Sequence, residues 1–134
     1  MNKPLPLTVI AEHKDFYVIE KPAGLNFHSE EGPGFVVLAE QQLNEKLFSV
    51  HRLDKVTSGL IILARSSQSA AQFTRLFTAH EVDKFYLALS DAKPKKKQGW
   101  VKGDMAKSRR SSFKLLKTQT NPAITRFYSF SVAA

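Results

Sequence analysis

The feature that most constrains this 134-residue chain is a short apolar run, residues 60–64, which is entered through a polar turn. The run reads Leu-Ile-Ile-Leu-Ala, and a run that is apolar on both faces is typical of a central strand. The turn before it, residues 51–59, reads His-Arg-Leu-Asp-Lys-Val-Thr-Ser-Gly. A carboxylate in such a turn, here Asp54, is held rigidly and faces outward. The stretch therefore predicts a site for nucleophilic attack or for charge recognition.

Hydrophobic patterning divides the rest of the chain into short strands and two helices. The predicted strands are residues 8–13, 16–20, 82–89, 113–117 and 125–132, and the predicted helices are residues 35–46 and a segment capped by Ser66 or Ser67. Strands and helices are mixed without regular βαβ alternation, which favours an α+β fold. We expect a mixed, mainly antiparallel sheet flanked by helices, in one domain covering residues 1–134.

Charge and composition narrow the class of partner. The formal net charge is +8, which favours a polyanionic partner, with nucleic acid first and an acidic membrane surface second. The absence of cysteine excludes a disulfide framework and a thiolate metal site, and it fits a reducing compartment. No apolar run approaches the roughly 20 residues that span a bilayer. We therefore expect a soluble protein of the cytoplasm.

Residues 93–117 form a basic tract that holds ten of the chain's 20 Lys and Arg residues and one acid, Asp104. The tract is either a solvated hairpin loop or an arm that contacts phosphates. Under the second interpretation, the residues expected to bind the nucleic acid are Lys95, Lys96, Lys97, Lys102, Lys107, Arg109 and Arg110.

The 51–59 segment resembles the H-R-L-D-x-x-T-S-G signature of the RluA-type RNA pseudouridine synthases, and every specified position is present. Residues 20–25, Glu-Lys-Pro-Ala-Gly-Leu, resemble the family's K-P-x-G-L loop, which includes Lys21, Pro22 and Gly24. Residues 84–88, Lys-Phe-Tyr-Leu-Ala, resemble its K-x-Y-x-A strand, and residues 102–108 resemble the hairpin that follows it. The three motifs occur in the family order.

The resemblance implies isomerisation of uridine to pseudouridine in ribosomal or transfer RNA, with neither cofactor nor metal. Asp54 is implied as the catalytic carboxylate, which attacks C1′ or abstracts the 2′-proton; both routes stay open. The target nucleotide is extruded from the RNA. Arg52 fills the vacated space or clamps a phosphate, unless it only pairs with Asp54. Tyr86 stacks on the uracil, unless it is a core strand residue.

The remaining positions of the signature are interpreted as follows. His51 either contacts the substrate or hydrogen-bonds the loop backbone, and Lys21 helps to hold the catalytic loop and is counted among the RNA-binding residues. Thr57 and Ser58 are expected to bond the turn through their hydroxyls. Gly59 is expected to supply a conformation or a close approach that a Cβ forbids.

One family motif, roughly G-R/K-x-H-Q-I/L-R, has no counterpart in the chain. We therefore expect a catalytic domain truncated at its C-terminal side, about two thirds complete, with little or no activity by itself. The competing hypothesis is a non-catalytic basic fragment that binds RNA. A third hypothesis is a small basic ribosomal protein. An unpaired sheet edge in a truncated domain predicts self-association.

Overall fold

A computed structural model describes residues 5–30 and 32–132. The chain divides into two compact units, Met1–Phe85 and Tyr86–Ala134, and each is described by itself. The expected α+β class is confirmed, and all strand pairs in the described residues are antiparallel. The expectation of a single domain stays a prediction.

The first unit contains a four-stranded sheet. Its strands are β1 Val9–Glu12, β2 Phe16–Lys21, β3 Phe48–Ser49 and β4 Gly59–Ala64, in the spatial order β1-β2-β4-β3. The apolar run therefore lies in β4, between β2 and β3, which confirms the predicted central strand. Lys21 at the end of β2 is the register partner of Gly59 at the start of β4. The loop that leaves β2 and the turn that enters β4 consequently meet at the same end of these two neighbouring strands.

Two helices accompany this sheet, α1 Phe35–Leu43 and α2 Ser67–Thr78. Helix α1 ends three residues before the predicted boundary because Asn44 adopts a left-handed conformation with φ 49°. Helix α2 begins at the predicted cap, where the Ser66 hydroxyl accepts the N–H of Ser69 at 3.1 Å. Both predicted helices are confirmed.

The core of the first unit lies under β2 and β4. Ile19, Phe35, Ile61 and Leu63 are almost completely buried, and Leu47 and Phe27 pack with them. Burial of each such side chain stabilises the fold by roughly 1.5–3 kcal/mol. These contacts fix the strand ends from which the polar turn extends.

A polar cluster ties the end of α1 to the sheet. Tyr17 in β2 donates its hydroxyl to Glu45 at 2.9 Å, and the Arg65 guanidinium donates to both oxygens of the same carboxylate at 2.7 and 3.1 Å. The hydrogen bonds from Arg65 hold the pKa of Glu45 below its usual value. The cluster joins three elements that surround the core.

The second unit is a long antiparallel hairpin. β5 Gln98–Gly103 pairs with β8 Ala123–Tyr128, and β6 Met105–Lys107 pairs with β7 Phe113–Leu115. A short 3-10 turn, Arg109–Ser111, lies at the tip. The predicted strands at residues 113–117 and 125–132 are confirmed with shifted ends, and residues 102–108 form part of the expected hairpin.

The predicted strand at residues 82–89 is wrong. Its alternation of residue types is present, but a strand needs a hydrogen-bonded neighbour, and no part of the described chain pairs with it. Phe85, Leu87 and Leu89 are accordingly more than 90% exposed.

Candidate active site

The candidate active site is built on the turn between β3 and β4, residues 50–58, which carries Asp54. Leu53 is buried with 7% exposure and anchors the turn to the core. Gly59, where the turn joins β4, has φ +152°, and a Cβ at this position would lie 3.2 Å from the Leu53 Cδ1. Both properties expected of Gly59, an unusual conformation and a close approach, are therefore confirmed.

Lys21 clamps this turn from beneath. Its side chain is fully buried, and its ammonium group donates to the carbonyl oxygens of Pro22 at 3.0 Å, Lys55 at 3.2 Å and Thr57 at 2.8 Å. Three acceptors use all three hydrogens of the ammonium group. Burial lowers the pKa of Lys21, and the negative charge of Asp54 opposes this shift. The nearby carboxylate thus helps to keep the lysine charged.

The position of Lys21 corrects one expectation. A side chain that is buried and bonded through every hydrogen has no donor left for a phosphate, so Lys21 does not bind RNA directly in this fold. Its expected role in holding the catalytic loop agrees with these contacts.

The loop after β2 adds a second connection to the same turn. The N–H of Gly24 donates to the carbonyl oxygen of Lys55 at 2.7 Å. Gly24 has φ +87°, a conformation that glycine adopts without strain, and this φ turns the loop toward residue 55. The K-P-x-G-L loop and the Asp54 turn are therefore one hydrogen-bonded assembly.

Asp54 lies on the outer side of this assembly and is exposed. Its carbonyl oxygen accepts the N–H of Thr57 at 3.0 Å, which closes the turn. Its carboxylate has no hydrogen bond or ion pair with any residue that the structure describes. The carboxylate of Asp54 is thus available to a substrate, while the main chain on either side is held by the buried Leu53 and by the hydrogen bond from Thr57.

The turn itself is closed by main-chain groups. Thr57 and Ser58 were expected to bond through their hydroxyls, but within residues 5–30 and 32–132 neither hydroxyl has a hydrogen-bond partner. Thr57 contributes its N–H and its carbonyl oxygen instead. The expectation of hydroxyl bonding is wrong: Asp54 and Lys21 satisfy the main-chain groups of Thr57, and Ser58 is exposed.

Arg52 is exposed beside the buried Leu53. It forms no ion pair within 4.0 Å in the described part of the chain, so the alternative in which it merely pairs with Asp54 does not hold. The guanidinium is free to meet a ligand, and its role toward RNA stays a prediction.

His51 braces the beginning of the turn. Its Nε2 accepts the N–H of Ile62 at 2.9 Å, and its ring stacks on Phe77 of α2 with centroids 4.6 Å apart. Burial lowers the pKa of His51, and the positive charge of Lys84 lowers it further. A neutral ring with an unprotonated Nε2 fits this hydrogen bond. These contacts support the backbone-bonding alternative, and an RNA contact through the remaining ring edge stays a prediction.

Tyr86 begins the second unit and is 60% exposed, so the alternative of a buried core tyrosine is excluded. Its expected role as a platform for the uracil stays a prediction.

The second unit carries the whole positive excess of the chain. Residues 86–134 contain eleven Lys and Arg residues and two acids, Asp91 and Asp104, whereas residues 1–85 contain nine basic residues and ten acids. The predicted RNA-binding residues of this unit are all exposed, and they are Lys95, Lys96, Lys97, Lys102, Lys107, Arg109 and Arg110. The distribution agrees with the interpretation of the tract as a phosphate-contacting arm.

Asp104 has a structural task within this hairpin. Its carboxylate accepts the N–H groups of Thr120 and Asn121 at 2.9 and 2.8 Å, and these bonds hold its pKa below the usual value. Asp104 thereby holds the loop between β7 and β8 in place. Residue type and position alone carried no signal for this role.

Sequence reasoning also missed an ordered arrangement of aromatic and cationic side chains on the hairpin. It comprises Trp100, Lys102, Arg126 and Tyr128. The sequence shows aromatic and cationic residues at alternate positions in two separate segments. Only the strand register shows that these side chains lie on the same face of the hairpin.

No cluster of three or more potential metal ligands occurs among the described residues. In the same residues no helix has the length and apolar character needed to cross a membrane.

A strongly basic hairpin of this kind is typical of proteins that bind nucleic acid. Residues 15–133 match the family model described as RNA pseudouridylate synthase. The chain belongs to the RNA pseudouridylate synthase family.

Individual relatives agree with this assignment. The chain is 52% identical over 129 residues to an uncharacterized RNA pseudouridine synthase of Haemophilus influenzae, covering 95% of the chain and 58% of the relative. It is 35% identical to ribosomal large subunit pseudouridine synthase C of Rickettsia bellii, covering 84% of the chain and 39% of the relative. The chain thus spans little more than half the length of the first relative and less of the second.

A solved structure shows a similar fold. Human RNA pseudouridylate synthase domain containing 4 superposes with a TM-score of 0.65 at 25% identity, covering 88% of the chain and 51% of that protein.

Proposed function

We propose that the complete protein to which these residues belong isomerises uridine to pseudouridine in RNA, with Asp54 as the catalytic carboxylate. The observation that carries the proposal is the clamped turn, in which Lys21 and Gly24 hold the main chain around an exposed Asp54. Preorganisation of this kind suits a group that must meet one atom of a sugar.

The reaction needs little more than such a carboxylate. The N1–C1′ bond of uridine breaks, the base turns, and a C5–C1′ bond forms, while C5 loses a proton to solvent and N1 gains one. Atoms and electrons balance without an oxidant or a cofactor. Asp54 either attacks C1′ or removes the 2′-proton, and both routes use its carboxylate.

The substrate we infer is structured RNA, either ribosomal RNA or transfer RNA. The name of the Rickettsia bellii relative supports ribosomal RNA, and relatives named tRNA pseudouridine synthase C support transfer RNA. Stacked RNA hides the ribose, so the target nucleotide has to be extruded, with Arg52 in the vacated space and Tyr86 against the uracil. Such substrates also support a cytoplasmic location.

Substitution of Asp54 tests the proposal directly. Asp54→Asn keeps the size of the side chain but removes the carboxylate, so we expect loss of tritium release from RNA labelled at uridine C5 and nearly unchanged RNA affinity. Asp83→Asn, which changes an exposed acid of the same unit, is the matched control and should stay active. Full turnover by Asp54→Asn would remove this residue from the mechanism.

The 134 residues by themselves are a different case. They contain no G-R/K-x-H-Q segment, one of the motifs of the family that the chain resembles. We expect RNA binding with little or no tritium release, and robust turnover by the 134 residues would contradict that expectation.

Self-association follows from the exposed residues 85–89. Phe85, Leu87 and Leu89 present apolar side chains on a segment that has no strand partner in the described residues. We propose that copies of the 134-residue chain associate through this segment. A single monomeric species across concentrations in analytical ultracentrifugation would contradict this.

A further inference from the structure

One face of the hairpin in the second unit combines exposed rings with cations. In the β5–β8 ladder, Trp100 pairs with Arg126, Gln98 pairs with Tyr128, and Lys102 pairs with Ile124. Side chains of directly paired residues lie on the same side of a sheet, and alternate residues repeat that side. Trp100, Arg126, Tyr128 and Lys102 therefore share one face.

The side chains on this face touch one another in a defined order. The Arg126 guanidinium lies 5.0 Å from the ring centre of Trp100 and 5.0 Å from that of Tyr128. The Lys102 ammonium lies 5.1 Å from the Trp100 ring. Cations at these distances are attracted to the ring faces, so the arginine holds both rings in place.

Exposure separates this face from an ordinary hydrophobic surface. Trp100 is 56% exposed and Tyr128 is 54% exposed, although rings of this size are usually buried in a core or an interface. On the opposite face Phe127 is half-buried and packs over Gly99, where a Cβ would lie 3.2 Å from the ring. Within the β5–β8 ladder, the two exposed rings are therefore the two that contact cations.

The charge around the face fits a polyanion. No acid lies on the face, and one of the two acids of this unit, Asp104, directs its carboxylate to the N–H groups of Thr120 and Asn121. Open rings interleaved with cations are the features by which proteins bind single-stranded nucleic acid: bases stack on the rings, and the cations neutralise phosphates.

We propose that the face formed by Trp100, Lys102, Arg126 and Tyr128 is a stacking platform for an unpaired segment of the RNA. This rests on the proposed action on RNA and assigns a binding site outside the Asp54 turn. Unpaired bases are favoured over duplex because a duplex keeps its bases stacked on one another and offers them to no ring.

Trp100 is the sole tryptophan of the chain, and its fluorescence therefore reports on this face alone. Titration of the chain with a ten-nucleotide oligouridylate should quench the emission, because a stacked base quenches an indole. A duplex RNA of equal phosphate number should bind through charge with little quenching. Equal quenching by duplex and single strand would overturn the preference for unpaired bases.

Substitutions on the two faces complete the test. Trp100→Ala and Tyr128→Ala should each weaken oligouridylate binding about 5- to 100-fold with an unchanged salt slope. Lys102→Gln should instead lower the slope of log affinity against log salt by about 0.7. Val101→Ala on the opposite face is the control, and its affinity should equal that of the unsubstituted chain.

The outcomes distinguish this proposal from the proposed reaction. Unchanged affinity in both Trp100→Ala and Tyr128→Ala, with folding verified by circular dichroism, would overturn the platform. Loss of affinity in these variants supports the platform whatever Asp54→Asn does to turnover, because oligouridylate binding is measured without catalysis.

Discussion

Replacement of Lys21 by methionine tests whether the clamp holds the catalytic turn. Methionine keeps most of the length of the side chain but removes the ammonium group and its three hydrogen bonds. The carbonyl oxygen of Lys55 keeps a partner, the N–H of Gly24, whereas those of Pro22 and Thr57 lose theirs. The substitution therefore leaves two carbonyl oxygens without this donor in the first unit.

The size of the effect follows from these two groups. Pro22 is exposed and Thr57 is only partly buried, so water can reach these acceptors, and each lost hydrogen bond costs a net of roughly 0.5–1.5 kcal/mol, or about 1–3 kcal/mol for the pair. Removal of a buried charge relieves part of its desolvation cost and offsets some of this loss. We expect Lys21→Met to lower the free energy of unfolding by about 1–2 kcal/mol.

Urea unfolding measures this loss through a lower midpoint at an unchanged slope. The control is Lys14→Met, which removes an exposed lysine from the β1–β2 turn and should leave the midpoint within experimental error. In the complete protein, we expect Lys21→Met to lower kcat at least tenfold with a smaller change in KM, because the turn no longer holds Asp54 in place. A wild-type midpoint together with wild-type kcat would refute the reasoning.

Three further predictions concern the other parts of the molecule. Tyr86→Ala should slow turnover far more than Tyr86→Phe, measured by tritium release, because the ring and not the hydroxyl stacks on the base; equal losses would point to the hydroxyl. The pKa of His51 is lower in the folded chain than in the unfolded chain, so the unfolded chain binds a proton more readily and stability should fall as the pH drops below 6.5. His51→Gln should flatten this part of the plot of urea midpoint against pH. An unchanged plot would count against the hydrogen bond and ring contact of His51 as a support of the turn. Replacing Lys95, Lys96 and Lys97 together by Gln should lower the salt slope of single-stranded RNA affinity by about 2, and an unchanged slope would exclude these lysines from phosphate contact.

Local patterns in the sequence were sufficient for most of the elements. The apolar run of β4, the serine cap of α2 and the two-strand pattern before residue 21 depend on neighbouring residues, and each is confirmed. The segment at residues 82–89 shows where such patterns fail. Its alternation is compatible with a strand, but a strand forms only where a second strand satisfies its backbone, and that partner is not a local property.

In the candidate site, too, some features could be predicted from the sequence and others could not. The motif around Asp54 could be recognised from the order of residues alone, and so could the glycine that ends it. The role of Lys21 could not be settled, because a lysine in a basic chain is as compatible with a phosphate contact as with a buried clamp. Its burial follows from the pairing of β2 with β4, which places its side chain beneath the turn.

The sequence by itself determined the family, the carboxylate at position 54 and the basic character of the region after residue 92, because these depend on residue identity and spacing. Only the tertiary structure decided that Lys21 is bonded to three carbonyl oxygens, that His51 braces a strand, and that Trp100, Arg126 and Tyr128 share a face. Each of these results depends on strand register, which brings residues far apart in the chain within a few ångströms of one another. Register is set by the packing and hydrogen bonding of the whole sheet, and no short stretch of residues contains that information.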